Sequence, residues 1–145
     1  MMEITTMAER HLKALAEVER QCFHEPWSEA ALREELGNEK NLFLVAEEQE
    51  NILGYVGCQT VLDEGYITNV AVAPAARRRG IARALLQKLT EHAQARKLTF
   101  VTLEVRKSNA AAIALYAGQG YEQVGIRKGF YREPQEDAVL MTRYF

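Results

Sequence analysis

The sequence predicts a mixed α/β fold built on one central sheet, and three observations support this prediction. The chain has 145 residues, about the length of one domain, and its 48% hydrophobic and 26% charged residues are typical of a globular protein. Strand-like and helix-like segments follow one another in the order β-α-α-β-β-β-α-β-α-β-β. The strand, helix and strand between residues 66 and 105 predict one parallel pair in an otherwise antiparallel sheet. We therefore expect a single domain over residues 1–145.

The first half of the chain is predicted to contain two helices between strands. Met2–Thr6 is typical of a short strand, and apolar residues at helical spacing predict a helix over 8–22. Ser28 is a good N-cap and Gly37 a good C-terminal stop, so a second helix is expected over 29–36. The strands that follow are expected at Leu42–Glu47, Ile52–Leu62 and Tyr66–Val72.

The second half alternates helices and strands before a closing hairpin. After Pro74, helical periodicity predicts a helix over 80–96, and Thr99–Val105 is rich in β-forming residues. Ser108 is predicted to cap an alanine-rich helix over 109–117, which glycines then end. The last two strands are expected to pair antiparallel, at Tyr121–Ile126 and Ala138–Tyr144.

Charge is unevenly distributed along the chain, although the net charge is only −2. Residues 1–65 carry 5 basic and 14 acidic residues, whereas residues 66–90 carry 5 basic residues and no acid. The net charge excludes a generally basic nucleic-acid binder, and the short basic segment predicts a local anionic ligand. A module that binds RNA or an acidic protein is a rival interpretation, which the shortness of the segment and its lack of interleaved aromatics disfavour.

The cysteines and histidines carry no recognisable metal or disulfide motif. Cys22 and Cys58 form no CxxC pair, and the three histidines show no HExxH spacing, so we expect no metal site. The sequence shows no signal peptide, and its longest apolar run is far shorter than the ~18 residues needed to span a membrane. We expect a cytoplasmic protein without nucleic-acid or membrane partners, and we favour a monomer.

A basic loop separates the strand at 66–72 from the helix at 80–96. A helix N-terminus has about four unpaired N–H groups and roughly half a positive charge, and the small residues Gly80 and Ala82 would let an anion approach them. We predict a phosphate or pyrophosphate cradle here, with a solvated basic turn as the alternative. The segment lacks both the Gly-Lys-Ser/Thr of a P-loop and the GxGxxG of a dinucleotide fold. The arginines of the loop are Arg77, Arg78, Arg79 and Arg83.

Two ionisable residues, Glu104 and Tyr116, lie in the predicted strand at 99–105 and in the helix that follows it. Glu104 lies in an otherwise apolar strand, where a carboxylate is costly unless it is paired or hydrated, and an ion pair with Arg106 is the structural alternative to a catalytic role. Asn109, Ala112 and Tyr116 share one helix face, and Tyr116 is also interpretable as a core aromatic.

The segment Arg77-x-x-Gly80-x-Ala82 after a Val-Ala-Val strand resembles the acetyl-CoA signature of the GCN5-related N-acetyltransferase family, written Q/R-x-x-G-x-G/A. The predicted order of elements is also that of this family, so the resemblance covers nearly the whole chain. It implies acetyl-CoA as co-substrate, with no metal. It assigns Val70, Ala71 and Val72 to the acetyl and pantetheine portion, and Arg78, Arg79, Gly80, Ile81, Ala82 and Arg83 to the pyrophosphate.

The string LEVRKSNAAAIALYAGQGY is very similar to the corresponding segment of RimI-type ribosomal-protein alanine N-acetyltransferases. That resemblance implies Glu104 as proton acceptor, Asn109 as an acetyl-CoA contact and Tyr116 as proton donor. It also implies direct acetyl transfer to the N-terminal alanine of small-subunit ribosomal protein eighteen. The chemistry is consistent, because a peptide α-amine has a pKa of about 7.7–8.0 against about 10.4 for lysine, so a glutamate is a sufficient base.

The acceptor side is predicted with alternatives left open. Trp27 either forms a wall of the acceptor channel or fills a hydrophobic space under the second helix. Tyr131 matches the Asn-Tyr-Tyr of relatives, whereas Gly129 and Phe130 depart from it, which bears on the identity of the acceptor. Lysine, a polyamine or a drug amine is the rival acceptor, and a catalytically inactive acetyl-CoA sensor is the rival function. Nearby carboxylates either attract a basic peptide or belong to a solvated hairpin, namely Glu133, Glu136 and Asp137.

Overall fold

The computed structural model describes residues 1–145 and contains seven strands and four helices in the predicted order. The strands are β1 (Glu3–Thr6), β2 (Leu42–Glu48), β3 (Asn51–Val61), β4 (Glu64–Val72), β5 (Phe100–Arg106), β6 (Glu122–Arg132) and β7 (Gln135–Tyr144). The helices are α1 (Leu12–Cys22), α2 (Glu29–Glu35), α3 (Ile81–Ala95) and α4 (Ala110–Gly118). The mixed α/β fold class is confirmed.

The helix caps agree with the sequence in one case and differ in another. The Ser28 side chain accepts a hydrogen bond from the Ala31 N–H at 3.0 Å, so its predicted capping of α2 is confirmed. The predicted Ser108 cap of α4 is wrong, because the Asn109 side chain caps this helix by accepting from the Ala112 N–H at 3.1 Å. The Ser108 N–H instead donates a hydrogen bond to the Glu136 carboxylate at 2.5 Å.

Strand β6 is longer than the sequence predicts, since it continues to Arg132 rather than ending at Ile126. Its pairing with β7 is irregular between Arg127 and Tyr131, where Gly129 has a φ of +62°. The strand is also exposed along almost its whole length. Alternation of apolar and polar residues is therefore lost, which hides the second half of this strand from a periodicity analysis.

The sheet has the strand order β1-β2-β3-β4-β5-β7-β6, and only β4 and β5 pair parallel. This parallel pairing, which confirms the prediction, extends only from Glu64–Phe100 to Tyr66–Thr102. Both strands then continue without pairing to each other. In the ladder with β3, β4 carries an extra residue near Thr68, and such a bulge bends a strand. The two strands therefore diverge and leave an opening in the middle of the sheet.

The helices cover the two faces of the sheet with separate hydrophobic clusters. Helices α3 and α4 pack on one face, where Leu85, Leu86 and Leu89 are completely buried. Helices α1 and α2 pack on the other face, around the buried Leu15 and Tyr55. Each fully buried leucine stabilises the fold by roughly 1.5–3 kcal/mol relative to an exposed one. None of the four helices is long and apolar enough to cross a membrane. The opening between β4 and β5 thus has an α3/α4 side and an α1/α2 side.

Candidate active site

The N-terminus of α3 presents unpaired backbone N–H groups. Gly80 occupies the N-cap position with a φ of +74°, and no side chain caps the helix. The first N–H bonded inside α3 belongs to Ala84, which donates to the Gly80 carbonyl at 3.0 Å. A Cβ atom added at Gly80 would meet no atom within 4 Å, so the space in front of the helix is open. This geometry fits an anion such as a pyrophosphate.

The arginines of the preceding loop divide into two groups. Arg79 turns to the Glu48 carboxylate at 3.0 Å, and Arg77 donates to the Val72 carbonyl at 3.4 Å. Arg78 and Arg83 have no hydrogen-bond or ion-pair partner in the chain, and both line the open pocket at the helix start. Only Arg79 is paired with a carboxylate, so Arg77, Arg78 and Arg83 keep their positive charges at the pocket.

This pocket of about 230 Å³ lies between the basic loop, the end of β4 and α4. Val72 at the end of β4 lines it on one side, and Leu115 of α4 lines it on another. Gly80, Ile81 and Ala82 contribute the helix start. The predicted coenzyme residues Val70 and Ala71 lie on the same strand but not in the pocket wall, and the Ala71 side chain is buried against the α1 cluster.

Glu104 lies on β5 just beyond the last residue that pairs with β4. Because Leu103 and Val105 point into the α3/α4 cluster, strand alternation directs Glu104 to the α1/α2 side of the sheet. The Tyr66 hydroxyl donates to Oε1 of Glu104 at 2.5 Å, across the start of the opening. Burial and this hydrogen bond raise the pKa of Tyr66. The ion pair with Arg106, considered as the alternative role of Glu104, is absent, because Arg106 pairs with Glu136 at 3.2 Å.

The Tyr116 side chain belongs to the hydrophobic cluster on the α3/α4 side of the sheet. Its ring is buried and contacts Tyr121 edge-on with centroids 5.9 Å apart, so it is part of the core as the alternative interpretation expects. The hydroxyl nevertheless has no hydrogen-bond partner in the chain. It is also not among the fully buried polar atoms that lack a partner, which are His11 Nε2 and Asn69 Oδ1. The oxygen is therefore accessible, and burial raises the pKa of Tyr116 to about 12.

The predicted acceptor residues lie near the α1/α2 side of the opening. Tyr131 is half-buried, and its pKa is raised by burial and by the negative charge of the nearby Glu104. Trp27 packs on the α1/α2 cluster, with its ring 6.2 Å from that of Phe43, and remains partly exposed. Asn109, the predicted acetyl-CoA contact, uses its side-chain oxygen as the cap of α4.

A buried polar network that the sequence analysis missed lies beside this site. Glu19 is completely buried in α1 without any cationic partner. Its carboxylate accepts from the Trp27 N–H at 2.8 Å, the Tyr55 hydroxyl at 2.7 Å and the Asn69 side-chain amide at 3.1 Å. Three donors compensate for the desolvation of the charge. The network joins α1, the α1–α2 connection and β4, which no local sequence pattern indicates.

Two other features of the structure bear on the location of the site. No group of three or more histidine, cysteine or acidic side chains is arranged to hold a metal ion. A cavity of about 290 Å³ lies elsewhere, with Met7, Leu36, Phe43 and Arg96 among its lining residues, and it contains none of the predicted site residues. The predicted site residues therefore lie outside this cavity.

Comparison with known proteins agrees with this geometry. A profile of the acetyltransferase (GNAT) family matches residues 12–121. A [ribosomal protein bS18]-alanine N-acetyltransferase of Haemophilus ducreyi is 40% identical over 144 residues, which cover 97% of this chain and 99% of that protein. The crystal structure of the ribosomal-protein-S18-alanine N-acetyltransferase from Escherichia coli superposes with a TM-score of 0.92 at 34% identity, covering 99% of this chain and 94% of that one.

A more distant structure shares the fold alone. Arabidopsis thaliana NAA60 in complex with acetyl-CoA has a TM-score of 0.90 at 20% identity, with both chains fully covered.

The fold, the open start of α3 and the carboxylate on β5 fit an acyl-group transferase, the class that the family profile and the relatives define. The chain belongs to the acetyltransferase (GNAT) family. The predictions of an acetyl-CoA-dependent N-acetyltransferase and of the family resemblance are thereby confirmed.

Proposed function

We propose that this protein transfers the acetyl group of acetyl-CoA to the N-terminal α-amine of a ribosomal protein, with the N-terminal alanine of bS18 as acceptor. The observation that carries the proposal is the 40% identity, over nearly the whole of both chains, to an enzyme with this named acceptor. The string from Leu103 to Tyr121, which contains Glu104 and Tyr116, lies inside the matched region.

The two sides of the opening suggest separate entrances for the two substrates. Acetyl-CoA would bind on the α3/α4 side, with its pyrophosphate at the N-terminus of α3 beside Arg78 and Arg83. Its thioester would reach the opening past Val72 and Leu115. The peptide would enter from the α1/α2 side, where Glu104 and Tyr131 lie, so that its amine meets the thioester carbon between the strands.

Glu104 is proposed as the proton acceptor for the attacking amine. Tyr66 occupies Oε1 of this carboxylate, which leaves Oε2 to accept a proton from the amine, either directly or through a water molecule. Roughly 15% of an α-amine is already neutral at pH 7, against about 0.04% of a lysine amine. A carboxylate is therefore an adequate base for an α-amine, which supports an N-terminal acceptor over a lysine.

Tyr116 is proposed to act on the departing sulfur of CoA. The neutral amine forms a C–N bond with the thioester carbon, the C–S bond then breaks, and the electron pair stays on sulfur. Because the pKa of Tyr116 is raised to about 12, its hydroxyl stays protonated over the working pH range. The Tyr116 hydroxyl stabilises the departing thiolate mainly by donating a hydrogen bond to the sulfur. The proton lost by the amine leaves through Glu104 to solvent.

An acetylation assay on paired peptides tests this function. One peptide begins with a free alanine and has its lysines replaced by arginine, and its partner has a blocked N-terminus and one free lysine. We expect acetyl-CoA-dependent modification of the first peptide, mapped by mass spectrometry to the α-amine, at more than about 100-fold the rate of the second. Faster modification of the lysine peptide would contradict an N-terminal acceptor, and no modification of either would favour an acetyl-CoA sensor.

A further inference from the structure

The guanidinium of Arg106 is held in an unusual position for a charged side chain at the end of a strand. Arg106 follows Glu104 by two residues on β5, so both side chains point to the α1/α2 side of the sheet. It donates to the backbone carbonyls of Pro134 at 2.8 Å and Glu133 at 3.1 Å. It also pairs with the Glu136 carboxylate at 3.2 Å. The guanidinium therefore binds the tip of the β6–β7 hairpin at three points.

The same guanidinium stacks on the ring of Tyr131, a residue predicted to contact the acceptor peptide. Its carbon lies 4.3 Å from the centre of the Tyr131 ring, within the range of a favourable cation–π contact. Burial raises the pKa of Tyr131, and the negative charge of Glu104 adds to this effect. Arg106 therefore links β5, the strand that carries Glu104, directly to the Tyr131 ring.

The hairpin tip depends on this link because it extends past the end of β5. The last residue pair between β5 and β7 is Arg106–Ala138, so residues 131–136 have no neighbouring strand on that side. Within the tip, only Tyr131–Glu136 and Arg132–Gln135 pair with each other. An overhanging two-stranded segment is marginally stable by itself. Its position relative to Glu104 is thus set by the Arg106 contacts, together with the bonds from the Ser108 N–H to the Glu136 carboxylate at 2.5 Å and from the Lys107 N–H to the Asp137 carbonyl at 3.1 Å.

The tip also faces the other wall of the acceptor side. The Glu133 carboxylate lies 3.8 Å from Nε2 of His24, which belongs to the connection between α1 and α2. This connection carries Trp27, whose N–H is held by Glu19. The hairpin tip and the α1–α2 connection therefore approach each other on the α1/α2 side of the sheet, to which Glu104 also points.

We infer that Arg106 is a positioning residue for the acceptor peptide. It fixes the hairpin tip and the Tyr131 ring so that the peptide is guided to Glu104, and it takes no part in proton transfer. This inference rests on the proposed function, because it assigns the space between the hairpin tip and the α1–α2 connection to the peptide rather than to the coenzyme. Displacement of a substrate-positioning wall by about 1 Å can reduce the rate about 100-fold.

The test measures steady-state kinetics of Arg106→Gln with the alanine peptide and acetyl-CoA varied separately. We expect the KM for the peptide to rise about 10-fold or more, while the KM for acetyl-CoA stays within about twofold of the original value. Arg132→Gln is the matched control, because it removes the same charge from the same hairpin and Arg132 makes no hydrogen bond or ion pair. Equal effects of the two substitutions on the peptide KM would overturn the inference.

Two further measurements distinguish the specific contacts of Arg106 with the hairpin tip from a general effect of its positive charge. Arg106→Lys keeps the charge but lacks the planar fork that reaches two carbonyls and stacks on Tyr131, so its peptide KM should stay close to that of Arg106→Gln. A peptide KM in Arg106→Lys equal to that of the unmodified protein would contradict a role for these specific contacts. In a double-mutant cycle, Arg106→Gln and Tyr131→Leu should be strongly non-additive, and additive effects would also contradict it.

A readout that does not depend on turnover keeps the inference separable from the proposed function. Hydrogen–deuterium exchange over residues 129–137 should be about 10-fold faster in Arg106→Gln and unchanged in Arg132→Gln. Absence of acetylation by the unmodified protein would contradict the proposed acceptor, whereas slow exchange in both variants would contradict the role of Arg106.

Discussion

At the scale of single residues, the site depends on two oxygen atoms in different environments. The Glu104 carboxylate is partly exposed and shares one oxygen with the Tyr66 hydroxyl, whereas the Tyr116 hydroxyl is accessible above a buried ring. We propose the first as the proton acceptor, and the second keeps its proton because burial raises the pKa of Tyr116 to about 12. Acid and base are thus separated by their surroundings as well as by residue type.

Replacing Glu104 by glutamine should preserve the hydrogen bond from Tyr66 and remove the proton acceptor. We expect kcat to fall about 100- to 10,000-fold at pH 7, with both KM values changed only a few-fold. The loss should be smaller at pH 9, because the α-amine is then mostly neutral and needs less help from a base. Glu91→Gln, on the exposed part of α3, serves as the control, and undiminished kcat in Glu104→Gln would contradict the assignment.

The pH dependence of the reaction tests the environment of Tyr116. As an acid, this group is active below its pKa, so with a pKa of about 12 its contribution should remain intact up to about pH 10. We expect kcat/KM to rise through about pH 8 as the α-amine loses its proton, and then to stay level. Tyr116→Phe should lower kcat while keeping this rise. A decline centred near pH 9 in the unmodified protein, absent from Tyr116→Phe, would contradict the raised pKa.

At the scale of elements, the start of α3 is the feature that we propose binds the anionic part of the coenzyme. Its uncapped N–H groups, the open space at Gly80 and the two unpaired arginines point to the same small region. Arg77 and Arg79 bind neighbouring protein groups and are expected to shape the loop.

Substitution of the unpaired arginines should weaken coenzyme binding specifically. We expect Arg78→Ala and Arg83→Ala each to raise the KM for acetyl-CoA about 5-fold, with little change in kcat, because each removes one exposed charge from a phosphate. The effect should shrink as salt concentration increases. Lys88→Ala, farther along the same helix, controls for net charge, and an equal change in that variant would argue against a defined phosphate site.

The Glu19 network should contribute to the stability of the α1 side of the fold. Glu19→Ala leaves three buried donors without an acceptor, and we expect it to lower the free energy of unfolding by about 2–4 kcal/mol in denaturant titrations. Glu17→Ala on the same helix is the matched control, because Glu17 forms only an exposed pair with Arg20 and should cost less than about 1 kcal/mol. Similar losses in the two variants would show that the network adds no stability.

At the scale of the whole molecule, we propose that the sheet separates the two substrates until they meet at its opening. The α3/α4 side carries the anion site, and the α1/α2 side carries Glu104 and the hairpin tip. Such an arrangement favours a ternary complex with direct attack over a covalent acetyl-enzyme, for which a nucleophile at the opening would be needed.

The cysteines provide a test of direct attack. Burial raises the pKa of the Cys58 thiol to about 12, so it forms no thiolate near neutral pH, and Cys22 Sγ lies 3.3 Å from the Val72 carbonyl. The double variant Cys22→Ser, Cys58→Ala should retain kcat within about threefold, and intact-mass measurement after incubation with acetyl-CoA alone should detect no acetylated protein. A stable acetyl-enzyme that this variant cannot form would contradict direct transfer.

The order of the elements and the chemical groups of the site are readable from the sequence because they depend on local patterns. Helical spacing, caps and turn residues located every helix and strand to within a few residues, apart from β6. The basic loop with Gly80 and the carboxylate Glu104 were likewise visible as local departures in charge and polarity.

Only the tertiary structure decided which side chains meet. The contact of Tyr66 with Glu104 follows from the register of a parallel pair, and the Arg106 and Glu19 contacts join residues 8 to 50 positions apart. The sequence by itself determined the elements and the reactive groups, because hydrogen bonding and hydrophobic periodicity act over a few residues. The divergence of β4 and β5 determined the site, because a bulge and long-range packing set the space between strands that lie far apart in the chain.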